Sequence, residues 1–276
     1  MKFTKMHGAG NDYIFIDCLQ ENVTDPANLA RAMSDRHFGI GGDGIILIMP
    51  AESADFRMRI FNADGSEAEN CGNGIRCVAK YVYDRGYTTK TAIRIDTLAG
   101  ILPITLHVNG RKVKAATVDM GCPRLERREI PMAGPEGQVI GEEIEADKKK
   151  FKVTAVSMGN PHCVIFVDKV NDFEVGFYGP LIENHPVFPS RTNVEFVEIL
   201  NRSEVSQRTW ERGSGETMAC GTGASATAVA GVLNGRTDRR VTIHLRGGDL
   251  NLEWAEDNHV YMTGPAVEVF SGEWLG

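Results

Sequence analysis

The chain has 276 residues, 42% of them hydrophobic and 24% charged, a composition that suits one large or two modest globular domains and excludes disorder and fibrous architectures. Thirty-seven acidic against 30 basic residues leave a formal charge of -7, which argues against a polyanion-binding surface and therefore against a nucleic-acid partner. No apolar run approaches the roughly 18 residues of a membrane span, and the first residues lack a signal-peptide apolar segment, so the expected location is the cytoplasm, with no membrane partner.

In chain order, Lys2 to Met6 and Tyr13 to Asp17 read as strands around the turn His7-Gly8-Ala9-Gly10-Asn11. The stretch Gly39-Ile40-Gly41-Gly42-Asp43-Gly44 lacks both the G-x-G-x-x-G spacing and a Walker lysine, and reads as a substrate-loop turn before a strand at Ile45 to Met49. After Cys71-Gly72-Asn73-Gly74, the apolar positions Ile75, Val78, Ala79, Val82 and Tyr83 have helical spacing, and Arg85-Gly86 stops them. Ala92 to Asp96 and Val113 to Asp119 read as strands, while Arg124 to Lys152, charged and rich in Gly and Pro, reads as an exposed hairpin or loop near a domain junction. Val153 to Ser157 and Cys163 to Asp168 are expected strands around Met158-Gly159-Asn160-Pro161-His162, followed by a strand at Val194 to Ile199. After Cys220-Gly221-Thr222-Gly223 a helix runs through Ala226, Val229, Ala230 and Leu233 to Asn234-Gly235, with small residues on so many faces that it should be buried all round. Strands at Val241 to Leu245 and Val260 to Thr263 complete the pattern.

The chain also repeats itself. At the 149-residue offset that separates Cys71 from Cys220, and without a gap, Arg59 meets Arg208, Glu67 meets Glu216, Gly72 meets Gly221 and Gly74 meets Gly223. Gly10-Asn11 falls on Gly159-Asn160, and Gly86 on Gly235. A duplication follows, and with it an α/β (α+β) fold of two pseudo-symmetric domains, each a mixed sheet wrapped around a central helix. The expected domains are residues 1–118 with 265–276, carrying Cys71, and 119–264, carrying Cys220.

At a helix start, unpaired N–H groups and the positive end of the dipole favour an anion, so a thiol there should be acidified and the flanking glycines can bring N–H groups to a substrate carboxylate. Cys18, Cys77, Cys122 and Cys163 have no repeat mate and read as packing. No C-x-x-C or H-x-x-x-H spacing exists, so no metal is expected. Two equivalent acid–base groups suit inversion of a stereocentre, where a base takes a proton from one face and an acid supplies one to the other. One must be thiolate and the other thiol, titrating as a coupled pair.

The segments Lys5-Met6-His7-Gly8-Ala9-Gly10-Asn11-Asp12, Phe61-Asn62-Ala63-Asp64-Gly65-Ser66, Glu69-Asn70-Cys71-Gly72-Asn73-Gly74, Gly159-Asn160-Pro161-His162, Glu211-Arg212-Gly213-Ser214-Gly215-Glu216-Thr217 and Ala219-Cys220-Gly221-Thr222-Gly223 closely resemble the diaminopimelate epimerase family, and the likeness runs to Met262-Thr263-Gly264-Pro265-Ala266. The resemblance implies interconversion of LL- and meso-diaminopimelate without a cofactor, a small-molecule substrate, and commonly a homodimer. It implies Cys71 and Cys220 as the two bases, and Gly72-Asn73 with Gly221-Thr222 as N–H donors to the reacting carboxylate. Arg212, helped by Asn160 and Asn193, would take the distal carboxylate; Asn62 and Glu211 would take the distal ammonium, with Asn11 as a further contact. His162 and Glu211 would set which thiol is ionised. Gly44 stands where the family often has Gln or another polar residue, leaving that contact to backbone or water. Rival readings are a proline or hydroxyproline racemase, which would not need the distal clamp, a phenazine-type isomerase relative, which shares the fold without the cysteine pair, and a non-catalytic amino-acid binder or thiol redox protein.

Overall fold

The computed structural model describes residues 1–69 and 71–276; Asn70, part of the Cys71 motif, lies outside the described residues. The chain divides into two compact units, Met1–Asp119 with Thr263–Gly276, and Met120–Met262.

The first unit contains β1 (Lys2–Gly8), β2 (Asn11–Asp17), α1 (Pro26–Ser34), β3 (Gly44–Met49), β4 (Phe56–Asn62), β5 (Glu67–Ala68), α2 (Gly72–Asp84), β6 (Ala92–Thr97), β7 (Gly100–Asn109) and β8 (Lys112–Asp119). Its sheet is mixed: β2 runs parallel to β3 and β4 parallel to β6, while β1–β2, β3–β4, β6–β7 and β7–β8 are antiparallel. The nearly continuous apolar run of β3 follows from burial on both faces. Ile45 and Leu47 join Ile14, Ile16 and the α1 residues Ala30 and Met33 in one core cluster, whereas Ile46 faces the start of α2. The helix α2 packs against β1, β2 and β8, with Ile75, Val78, Ala79 and Val82 buried as their spacing predicts.

The second unit contains β9 (Glu142–Ala146), β10 (Lys149–Ser157), β11 (Pro161–Phe166), α3 (Val175–Glu183), β12 (Asn193–Asn201), β13 (Glu204–Glu211), β14 (Gly215–Thr217), α4 (Gly221–Leu233), β15 (Arg240–Leu245) and β16 (Gly248–Trp254). After these, β17 (Val260–Pro265) leads into β18 (Val267–Glu273), which returns to the first unit and pairs antiparallel with β1. The parallel pairs are β11–β12 and β13–β15, the counterparts of β2–β3 and β4–β6. The duplication holds at the level of backbone register. Tyr13 pairs with Gly44 as His162 pairs with Asn193, Ile60 with Ala68 as Thr209 with Thr217, and α1 and α2 reappear as α3 and α4 at the 149-residue offset. The helix α4 is buried from Gly223 to Gly231, against β10, β11, β12, β15 and β16. Both helices end alike: the N–H of Gly86 and of Gly235, each with positive φ, returns to the carbonyl three residues back, at Tyr83 and Val232. Among the described residues no helix is long and apolar enough to cross a membrane.

Two expectations change. The Arg124–Lys152 stretch ends in a hairpin, β9 with the start of β10, as one of the two expected forms, but it is not exposed throughout. Ile130, Met132, Val139, Ile144 and Ala146 lie in one core cluster with Phe151 and Phe196, and Arg127, only 4% exposed, donates to the Ala133 carbonyl and to Glu142. Its apolar residues are spaced singly among charges, so in β9 the alternation sends Ile144 and Ala146 inward and Glu143 and Glu145 outward. The helices α1 and α3 escape sequence reading because α1 buries only Ala30, Met33 and Ser34, and α3 carries Gly176, Gly179 and Pro180 within its nine residues. In α1 the local signal is the cap, with the Asp25 carboxylate accepting from the Asn28 N–H at 3.2 Å and Pro26 in the first turn. Ile144→Ala is expected to cost about 2–5 kcal/mol in a denaturant titration; a change within about 0.5 kcal/mol would mark the segment as surface loop.

Candidate functional site

Cys71 and Cys220 are the N-cap residues of α2 and α4, in extended conformation at φ -144° and -122°. Each sulfur takes the capping role that Ser or Asp oxygen usually fills, accepting from the N–H of the third helical residue: Gly74 at 3.3 Å and Gly223 at 3.4 Å. Glycine at those positions lets a side-chain tip from the neighbouring strand close over the helix start. A Cβ on Gly74 would lie 2.5 Å from Ile46 Cδ1, and one on Gly223 2.5 Å from Glu195 Oε1. The first two helical residues, Gly72-Asn73 and Gly221-Thr222, thus stand at the positive end of each helix beside a sulfur.

Around Cys71 the structure brings together Asn11 and Asn73. The Cys71 thiol donates to Asn11 Oδ1 at 3.2 Å, while Asn11 Nδ2 donates to Asp43 at 2.7 Å, which fixes the orientation of the amide. Asp43 and Asp12 share the Arg36 guanidinium, and Lys5 reaches Asp12 at 2.5 Å. Burial pushes the Asp12 carboxyl up, but the hydrogen bonds from Arg36 and Lys5 outweigh it and hold it below the usual range. This ionic cluster orders the glycine-rich 39–44 turn. Gly44 itself opens β3, opposite Asn62, and a Cβ there would sit 2.2 Å from the Phe61 carbonyl oxygen, so backbone packing leaves no room for a side chain. Asn62 donates to Ser66 Oγ at 3.0 Å in the adjoining turn.

Around Cys220 the structure gathers His162, Asn160, Thr222 and Glu211. Cys220 Sγ lies 3.5 Å from Thr222 Oγ1, and Asn160 Nδ2 donates to the same hydroxyl at 3.4 Å. His162 is fully buried, with Nε2 2.9 Å from Asn160 Oδ1 and Nδ1 2.8 Å from Glu195 Oε1. Glu211 accepts from Thr217 at 2.5 Å, and burial raises its carboxyl against the pull of that bond and of His162. Asn193 is committed to structure, donating to the Pro161 carbonyl at 2.8 Å and accepting the Arg212 N–H at 2.9 Å. That second bond positions the exposed Arg212, whose Nη1 donates to the Ser190 carbonyl at 3.0 Å.

The expected acidification does not hold for Cys220. Burial pushes its thiol well above the ordinary value, Glu211 and Glu195 push it further, and the Thr222 hydroxyl and Gly223 N–H only partly offset them. Of the cysteines read as packing, Cys77 and Cys163 are buried, the former raised to about 12 by burial, and Cys18 is half-buried; Cys122 is exposed and packs nothing. Sequence reading missed Glu195 and Arg76. The signal available was the repeat itself, which sets Glu195 against Ile46 and Arg76 against Ser225, a charge against a neutral residue in each case. Among the described residues no three His, Cys, Asp or Glu side chains converge as a metal would require.

The chain matches the family model described as diaminopimelate epimerase over residues 3–126 and 154–269. It is 59% identical over 276 residues to the diaminopimelate epimerase of Pelotomaculum thermopropionicum, covering 99% of each chain, and 57% identical over 274 residues to that of Acetivibrio thermocellus, covering 99% of this chain and 98% of the relative. Among solved structures it resembles a phenazine biosynthesis protein of the PhzF family from Bacillus anthracis, with a TM-score of 0.71 at 18% identity, covering 100% of this chain and 99% of the other. It also resembles a hydroxyproline epimerase from Agrobacterium vitis, with a TM-score of 0.68 at 15% identity, covering 99% of this chain and 90% of the other. These two likenesses are of fold. Gly44→Ala is expected to destabilise the protein by about 1–3 kcal/mol, because strand backbone must move to admit the methyl; an unchanged denaturation midpoint would show that the site tolerates a side chain.

Proposed function

The chain belongs to the diaminopimelate epimerase family, and on that basis we propose that it interconverts LL- and meso-2,6-diaminopimelate by a cofactor-independent two-base mechanism with Cys71 and Cys220 as the bases. The observation that carries the reading is the matched pair of cysteine N-caps at the two glycine-flanked helix starts.

The α-hydrogen of an amino acid is a very weak acid, so proton abstraction needs help at the carboxylate. The N–H groups of Gly72-Asn73 and Gly221-Thr222 supply it by stabilising the negative charge that spreads onto the carboxylate as the C–H bond breaks. In other enzymes one such donor is worth about 2.7–4 kcal/mol, so two helix starts make a major contribution. Positioning adds to this; well-oriented reactants gain about 7–11 kcal/mol. In one direction a thiolate takes the α-proton and becomes a thiol, while the other thiol delivers its proton to the opposite face and becomes the thiolate. The reverse reaction exchanges the roles, and no electrons leave or enter. Asn160, held by His162, and Arg212, anchored through Asn193, are suited to the distal carboxylate, and Asn62 with Glu211 to the distal ammonium. Gly44 offers only backbone. His162 and Glu211 influence the ionisation of Cys220.

The proposal extends to a cytoplasmic homodimer. The exposed apolar side chains of β18, Val267, Val269 and Phe270, support self-association. Light scattering is expected to give twice the 30.3 kDa chain mass; a monomer at assay concentration would remove the dimer.

In heavy water, LL-diaminopimelate is expected to take up deuterium at Cα on inversion without added pyridoxal phosphate or metal, and proline is expected not to exchange. Cys71→Ala and Cys220→Ala should each abolish inversion while the folded structure persists. Faster exchange of proline would transfer the protein to the racemase reading, and retained turnover in either variant would remove that cysteine from the mechanism.

A further inference from the structure

Duplication by itself would make the two cysteines equal, yet two-base inversion requires one thiolate and one thiol. The two units differ in charge at three matched positions around the helix starts: Asn62 against Glu211, already placed beside Cys220, and two more that pack behind the helices. In the first unit Arg76 is fully buried, and donates from Nη1 to the Gly72 carbonyl at 2.9 Å and from Nη2 to Asn73 Oδ1 at 2.7 Å. Its mate Ser225, also fully buried, makes the equivalent bond with a neutral hydroxyl, Oγ to the Gly221 carbonyl at 2.9 Å. In the second unit the position of Ile46 is held by Glu195, fully buried, with Oε1 on His162 Nδ1 and with Oε2 lacking a hydrogen-bond partner among the described residues. The replacement is spatial as well as sequential. Ile46 Cδ1 and Glu195 Oε1 each lie 2.5 Å from where a Cβ on Gly74 or Gly223 would be, so carboxylate and methyl fill the same place behind their cysteines.

We propose that Arg76 and Glu195 are positioning residues that make the cysteines unequal: the buried guanidinium behind the first helix start holds the ionised form on Cys71, and the buried carboxylate behind the second holds the protonated form on Cys220. The inference rests on the two-base reading above for its use in catalysis, but not for its test. Opposite charge favours an ionised neighbour and like charge disfavours it, most strongly where water is excluded. The groups facing Cys71 are Asn11 of β2, whose Oδ1 accepts from the thiol and so opposes the guanidinium, Tyr13 of β2, and Asn73, Arg76 and Cys77 of α2, with Asp43 acting through Asn11 and Tyr13. Those facing Cys220 are Glu195 of β12, Glu211 of β13 and Thr222 of α4, with His162 of β11 between the two carboxylates. Burial lowers the Arg76 guanidinium, and the Cys77 and Cys71 thiols act against that; burial raises Cys220 most, Glu211 next, and Glu195 adds to both.

The test is the pH dependence of iodoacetamide alkylation, read by mass spectrometry at each site in the substrate-free full chain. Cys220→Ala isolates Cys71, and Cys71→Ala isolates Cys220. Cys71 is expected to titrate below Cys220. Adding Glu195→Gln, which keeps shape and removes charge, should raise Cys220 alkylation at neutral pH about tenfold while leaving the alkaline plateau rate, which reports access, unchanged. Adding Arg76→Met should slow Cys71 alkylation about tenfold, and Arg76→Lys should restore it. Coincident midpoints in the parent proteins, or a Cys220 midpoint unmoved by Glu195→Gln, would overturn the proposal. Should Arg76→Met lose its far-ultraviolet circular dichroism, the near-isosteric Glu195→Gln decides alone. Because no substrate is present, the outcome stands apart from deuterium exchange with diaminopimelate, which tests the functional reading.

Discussion

A cysteine sulfur in the N-cap position is the interaction on which the rest of each unit is built. By accepting the N–H of the third helical residue, Cys71 and Cys220 are held with their sulfurs at the positive end of a 13-residue helix, beside the amides of the first two residues. That arrangement uses glycine at positions 74 and 223, which lets the strands β3 and β12 bring Ile46 and Glu195 against the helix starts. It also needs the helix to be fixed, and both helices are wrapped by their sheets and stopped by a glycine with positive φ.

Burial and dipole act in opposite directions on a thiol so placed, and magnitude decides between them. A helix N-terminus stabilises an anion by about 0.3–1 kcal/mol when exposed and up to about 2 kcal/mol when partly buried, whereas each tenfold change in ionisation equals about 1.4 kcal/mol. Cys220 is 5% exposed and has two carboxylates close by, so desolvation and repulsion exceed what the helix offers. On the two-base reading proposed above, a raised thiol is the useful state for the partner that must donate a proton. The pair therefore needs unlike surroundings, and the duplicated backbone accommodates them by changing side chains at fixed places: Tyr13 for His162, Ile46 for Glu195, Asn62 for Glu211 and Arg76 for Ser225.

The polar networks within each unit show how few residues have a single role. Asn193 spends its amide on the Pro161 carbonyl and its oxygen on the Arg212 N–H, so it shapes the turn that carries Arg212. Asn160 turns its amide nitrogen to the Thr222 hydroxyl because its oxygen is engaged by His162, which is in turn held by Glu195. Asn11 is oriented in the same manner by Asp43, through an ionic cluster that includes Lys5, Asp12 and Arg36.

The sequence by itself determined the duplication, the two helix starts with their cysteines and glycines, and the family, because these depend on local backbone geometry that recurs at one constant offset. It also fixed the strands with long apolar runs, such as β3, since a segment buried on both faces cannot carry polar side chains without partners. The alternation in β12 would send Glu195 to solvent; only the close approach of α4 shows that its face is the inner one, where His162 answers it. The inward turn of Ile144 within a charged segment, the helices α1 and α3, the committed amide of Asn193 and the direction of the Cys220 ionisation were likewise decided by tertiary structure. Each depends on what lies across the chain from the residue, at a sequence distance over which neither propensity nor spacing carries information.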